Sequence, residues 1–185
     1  GASIELVGLD NREFLLRDRI APLRERFDLI LIDCPPSLGL LTLNALSASD
    51  GILIPLQCEY YALEGLAELL NTLELVKQRL NPTLEIAGIV MTMADTRTNL
   101  TQQVIEEVRN HFNDRVFQTV IPRSVKLSEA PSFGKAVIHY DPQSKGAQAY
   151  QELAKEFAKR FLTRHEAKQA EPAAIMNESE TAVAE

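Results

Sequence analysis

Short, continuous apolar runs alternate along the chain with longer stretches in which apolar positions recur every three or four residues. That alternation predicts βαβ units: an α/β fold, a doubly wound and mostly parallel sheet flanked by helices. Phe27 to Asp33 (FDLILID) is an apolar run ending in an acid, as expected of a strand covered on both faces, and Pro35-Pro36 stops it. Leu38 to Ala48 then reads as a helix and Gly51 to Leu56 as a second strand. Leu63 to Leu80 reads as a long amphipathic helix ending before Asn81-Pro82. Glu85 to Met93 is the next strand. Asn99 to Phe112 follows as a helix with Leu100, Val104, Ile105 and Val108 on one stripe, and Val116 to Ile121 as a short strand. A long irregular stretch comes next. Ala147 to Leu162 closes the pattern as a helix whose Tyr150, Leu153, Ala154, Phe157 and Phe161 are spaced to face a core.

Composition narrows the class. The 185 residues suffice for one ordinary domain, and 45% hydrophobic with 24% charged residues excludes disordered, collagen-like and coiled-coil chains. From Thr163 onward large apolar side chains all but vanish, and Glu166, Glu171, Glu178, Glu180 and Glu185 outnumber Arg164 and Lys168. The expected organisation is therefore a single domain over residues 1–162 and a disordered acidic tail over 163–185. No apolar run reaches the length of a membrane span and no secretory leader is visible, so a cytoplasmic protein is expected. Cys34 and Cys58 show no metal-binding or disulfide spacing and read as reduced thiols. The net charge of −7 argues against wholesale coating of nucleic acid but permits a local basic patch.

Ligands of open α/β sheets bind beyond the carboxyl ends of the strands, which selects four loops: residues 33–37, 57–61, 94–98 and 122–126. Asp33 follows four apolar residues, the arrangement by which phosphate-loop nucleoside triphosphatases hold magnesium, directly or through its water; helix capping or a simple strand end is the plainer alternative. Arg97 lies after one predicted strand, and Arg123, Lys126 and Lys135 in or beyond the loop after the next. Neighbouring loops at one sheet edge could bring these cations together, or they could be ordinary solubilising charges.

The run FDLILIDCPPSLGLLTLNALSASDGILIPLQCEYYALEG (Phe27–Gly65) closely resembles the ParA family of chromosome- and plasmid-partitioning ATPases, particularly its Soj-type members. MTMADTRTNL (Met91–Leu100), VIPRSVKLSEAPSFGK (Val120–Lys135) and YDPQSKGAQAY (Tyr140–Tyr150) resemble later blocks of the same family in the same order, so the likeness extends over roughly Ile4 to Phe161. It implies a deviant phosphate-loop fold that binds ATP with magnesium and dimerises around nucleotide. It also implies non-specific DNA binding in the ATP state, stimulation by a ParB-type partner, and a cytoplasmic protein associated with the nucleoid. Carried over residue by residue, Asp33 would serve magnesium, Pro122 and Ser124 the adenine, and Arg97, Arg123, Lys126 and Lys135 DNA. Ser124 stands where Soj-type relatives have asparagine, losing the amide's paired donor and acceptor.

The sequence departs from the family in a second respect. No glycine-rich phosphate loop with its lysine and Ser/Thr occurs in it: Gly134-Lys135 is followed by Ala136, and Glu129 stands where the first glycine belongs. The resemblance implies that the family's N-terminal third precedes Gly1, and that these 185 residues alone do not hydrolyse ATP. Two other functions are open, a membrane-associated spatial regulator of the MinD type and a stand-alone interaction module. The acidic tail speaks against the first, because anionic lipid repels it. His139 with Asp141 reads as a surface pair, Cys34 as a buried inert thiol, and Tyr60-Tyr61 as packing residues with a wet hydroxyl.

Overall fold

A computed structural model describes residues 8–35 and 37–162. The expected acidic tail, the segment before Gly8 and the second proline of the Pro35-Pro36 pair lie outside the described residues.

At the centre, β1 (Gly51–Gln57) and β2 (Glu85–Thr92) run parallel, from Gly51 opposite Glu85 to Gln57 opposite Thr92, with one irregularity between Ile52 and Leu53. Parallel strands need a crossover, and α3 (Tyr60–Arg79) supplies it. Before β1 lie α1 (Leu15–Ile20) and α2 (Leu40–Ala48); after β2 comes α4 (Asn99–Phe112), capped where the Thr98 hydroxyl accepts the Thr101 N–H. Pro55 lacks an N–H and sits in β1, whose other side carries no strand among the described residues.

Strand residues point alternately to opposite faces, and each face has its own core. Ile89 and Met91 are fully buried with Leu46 of α2, Leu66, Leu73 and Val76 of α3, and Val104, Ile105 and Val108 of α4. Val90 points the other way, to Phe117 and Ile121, against which α7 (residues 145–162) packs Leu153, Phe157 and Phe161. Helices therefore cover both faces of a parallel sheet, as the pattern predicts.

Two predicted strands turn out differently. Phe27–Asp33 forms no strand and pairs with nothing among the described residues, leaving Phe27, Leu29 and Leu31 at 53%, 41% and 74% exposure. An apolar run becomes a strand only against an edge that accepts its hydrogen bonds. Val116–Ile121 does lie along β2, joined by bridges from Ile89 to Val116 and from Ala94 to Pro122. The Phe117 N–H donates to Ile89 O and the Ile121 N–H to Met91 O, so four residues on this side span only two on β2. The surplus residues bulge outward.

The stretch beyond Ile121, expected to be irregular, is a series of short helical turns: α5 (Val125–Glu129), a 3-10 turn at Ala130–Phe133 and α6 (Val137–Tyr140). On α4 the buried stripe is Thr101, Val104, Ile105 and Val108. Leu100 is 45% exposed at the start of the helix, where no neighbouring element covers it. On α7, Ala154 and Tyr150 are exposed rather than core-facing. Helix α1 carried no signal strong enough to predict. Asn44 of α2, itself buried, fixes its place by accepting the Leu16 N–H and donating to Arg12 O.

Candidate functional site

Three of the four loops selected by the strand pattern converge. The Cys58 N–H donates to Thr92 O, the Ala94 N–H to Ile121 O and the Arg123 N–H to Ala94 O, stitching residues 57–61, 94–98 and 122–126 into one edge at the carboxyl end of the sheet. The fourth loop is not joined to them. Asp33 is exposed, and among the described residues no hydrogen bond or ion pair links it to this edge, because the segment that carries it is not in the sheet.

Side chains at that edge form a charged network. Arg97 grips Asp95 in a fork, Nε to Oδ1 at 2.8 Å and Nη2 to Oδ2 at 2.6 Å, while its backbone N–H donates to the same carboxylate at 3.1 Å. Those bonds hold the Asp95 carboxyl well below the usual carboxylate range, and the charge of Arg123 adds to the effect. Arg123 donates to Glu59 at 3.1 Å, across 64 residues of sequence. Pro122 and Ser124 flank Arg123, both half-buried, Pro122 in the bridge to Ala94 and Ser124 at the start of α5.

A second polar group lies one turn further on. Lys126 pairs with Glu129 at 3.0 Å, and the Tyr140 hydroxyl donates to the same Glu129 oxygen at 3.1 Å. The Tyr140 ring stacks on Phe133 at 5.0 Å and lies under the Lys126 ammonium at 5.7 Å. Glu129 is accordingly lowered, by Lys126 first and Tyr140 next, and the Lys126 amine is raised, chiefly by Glu129. Lys135 is exposed and makes no ion pair among the described residues.

The structure thus brings Pro122, Arg123, Ser124 and Arg97 to one edge, with Lys126 following in the first turn of α5, and leaves Asp33 apart. Sequence reasoning missed the carboxylates. Asp95 two residues before Arg97 and Glu129 three residues after Lys126 were local signals for those pairs, whereas nothing local connects Glu59 to Arg123.

Three side chains differ from expectation. Cys34 is exposed, not buried, since its loop lies on an unpaired segment; partial desolvation and then the charge of Asp33 push its thiol up. Tyr60 and Tyr61 are 60% and 79% exposed and meet edge-to-face at 5.8 Å, packing on each other instead of on a core. Among the described residues no group of three or more His, Cys, Asp or Glu is placed to hold a metal ion, and no helix is long and apolar enough to cross a membrane.

Known proteins resemble this chain over most of its length. The chromosome partitioning protein ParA of Myxococcus xanthus (strain DK1622) is 60% identical over 160 residues, spanning 86% of this chain and 56% of that protein. The sporulation initiation inhibitor protein Soj of Bacillus subtilis (strain 168) is 60% identical over 158 residues, spanning 85% and 62%. The chain belongs to the ParA/Soj family. A family model described as an AAA domain matches residues 1–86. Among solved structures, cobyrinic acid a,c-diamide synthase from Mycobacterium smegmatis, with bound ADP and magnesium, is 37% identical with a TM-score of 0.66, covering 84% of this chain and 56% of its own. The ParA/Soj likeness thus spans roughly three-fifths of the length of these curated relatives.

Proposed function

We propose that this chain is the larger part of a chromosome-partitioning ATPase of the ParA/Soj type, one that binds ATP with magnesium, dimerises and holds DNA without regard to sequence. Residues 1–162 are its nucleotide-binding domain and 163–185 its acidic tail. The observation that carries the reading is the convergence of three strand-end loops, which sets Arg97 and Arg123 beside Pro122 and Ser124 at the edge where open α/β sheets take ligands. Partition proteins among the relatives support the role.

The residues present suit part of a nucleotide site. Magnesium is usually held by one or two carboxylates with phosphates and water, so the single exposed carboxylate of Asp33 is a sufficient protein ligand. Pro122 and Ser124 would touch the adenine, Ser124 through one hydroxyl. Bound magnesium supplies charge neutralisation at the phosphates. Arg97, Arg123, Lys126 and Lys135 would meet DNA phosphates, contacts that carry no sequence information and weaken as salt rises. A ParB-type protein is the proposed partner, with the cytoplasm and nucleoid as the place of action.

The test is a low-salt mobility-shift assay on random-sequence duplex, using ATP-loaded protein of full natural length. Reversing Arg97 and Lys126 to glutamate together should abolish the shift and spare ATP-dependent dimers. Unchanged affinity would return both residues to the role of solubilising charges.

A further inference from the structure

At the converged edge, every arginine proposed for phosphate is already matched by a carboxylate of the same edge. Arg97 is held by Asp95 and Arg123 by Glu59, and Arg123 also acts on Asp95, so the four side chains form one two-by-two network with no net charge. Glu59 follows β1, Asp95 follows β2 and Arg123 follows the Val116–Ile121 segment, three separate connections that the sheet alone brings side by side. Three of the four groups face water through much of their side chains, at 86% for Arg97, 57% for Arg123 and 52% for Glu59, and Asp95 retains 27%. The arginines are therefore within reach of a polyanion, and so are the carboxylates that oppose it.

We infer that Glu59 and Asp95 limit phosphate binding at this edge: they compete with the phosphates of DNA for Arg123 and Arg97 and set the affinity below what the two cations would give alone. This deepens the DNA-binding reading above and rests on it. Exposed ion pairs are weak, so a phosphate can displace either carboxylate, yet the displaced charge stays nearby and repels the incoming strand. The same displacement lowers the number of counterions released on binding, because a cation already neutralised by a carboxylate contributes little to the salt dependence.

The experiment measures random-sequence duplex binding across a salt series, with ATP-loaded protein of full natural length, for Glu59→Gln, for Glu59→Gln combined with Asp95→Asn, and for Glu74→Gln. Glu74 is an exposed carboxylate on α3, about 20 Å along the helix from Tyr60, and reports the effect of bulk charge alone. The expected result is affinity higher by about three- to fivefold per edge substitution, a steeper salt slope, and little change with Glu74→Gln. Glu59→Gln is the cleaner single variant. Its carboxylate bonds only Arg123 among the described residues, whereas Asp95 also orders its own loop through the Arg97 N–H. A gain no larger than that of Glu74→Gln, no gain, or a loss of binding in the two edge variants overturns the inference while leaving the DNA reading standing. Absence of binding by the parent protein and all three variants overturns both.

Discussion

The Glu156 carboxylate accepts the backbone N–H of Thr119 at 2.9 Å and its hydroxyl at 2.8 Å. The other oxygen takes the Gln118 N–H at 2.8 Å and is backed by Arg160 at 2.6 Å. This is where the bulge in the Val116–Ile121 segment is satisfied: its surplus amides, turned away from β2, are received by a side chain of α7 in place of another strand. Arg160 completes the latch by donating to Asp114 O and Val116 O while lying over the Phe117 ring.

Glu156→Gln should therefore destabilise the fold by about 1–3 kcal/mol at neutral pH, since an amide keeps the shape but offers one acceptor oxygen and no charge. Burial alone would raise the Glu156 carboxyl. The Gln118 and Thr119 bonds and the charge of Arg160 outweigh it, so the carboxyl lies below its ordinary value of 4.5. A group depressed in the folded state contributes stability that is fully present above its unfolded value and is lost as pH falls through the folded one. The gap in thermal midpoint between parent and variant should be wide at pH 6 and close below pH 4. A gap that does not change with pH would show that the carboxylate charge contributes nothing.

Gly88 lies directly beneath Phe117, one of the largest fully buried side chains, and an added Cβ would collide with the Phe117 ring. Gly88→Ala should cost about 1–3 kcal/mol through forced repacking. Phe117→Ala should cost about 3–5 kcal/mol through the cavity it leaves. If the clash is the cause, the double substitution should cost less than the sum of the two. Chemical denaturation of the four proteins checks it, and strict additivity would place the strain elsewhere.

The same residues show how far the sequence could be read. β1, β2, α3 and α4 were readable because their periods are local properties of Ile52–Leu56, Ile89–Met91, Leu66–Val76 and Val104–Val108. Phe27–Asp33 has the composition of a strand, but strandhood is decided by a partner elsewhere in the chain. Gln118 and Thr119 were indistinguishable from strand residues until Glu156, 37 residues beyond Thr119, claimed their amides. At the edge, loop positions identified Arg97 and Arg123 as candidates, whereas Glu59, the counterpart of Arg123, is visible only in the fold.

Asp33→Asn should remove ATP-dependent dimerisation and phosphate release in the protein of full natural length. The nucleotide-free thermal midpoint should move by less than about a degree, because an exposed side chain outside any ion pair of the described residues supports little structure. Light scattering with and without ATP is the measurement. Normal ATP-dependent dimers in the variant would reduce Asp33 to a loop residue.

Cys34 offers an independent reading of the same carboxylate. Its thiol is exposed and lies above its ordinary value of 9.0, through desolvation first and the adjacent Asp33 charge second. Thiolate is the reacting form, so at pH 8 alkylation of Cys34 by iodoacetamide should be slow, and that of buried Cys58 slower still. Removing the neighbouring negative charge favours the thiolate and lowers the thiol value. Asp33→Asn should therefore speed alkylation at pH 8 by about threefold, the scale of one exposed charge at close range. An unchanged rate in Asp33→Asn would show that the Asp33 charge does not reach the thiol.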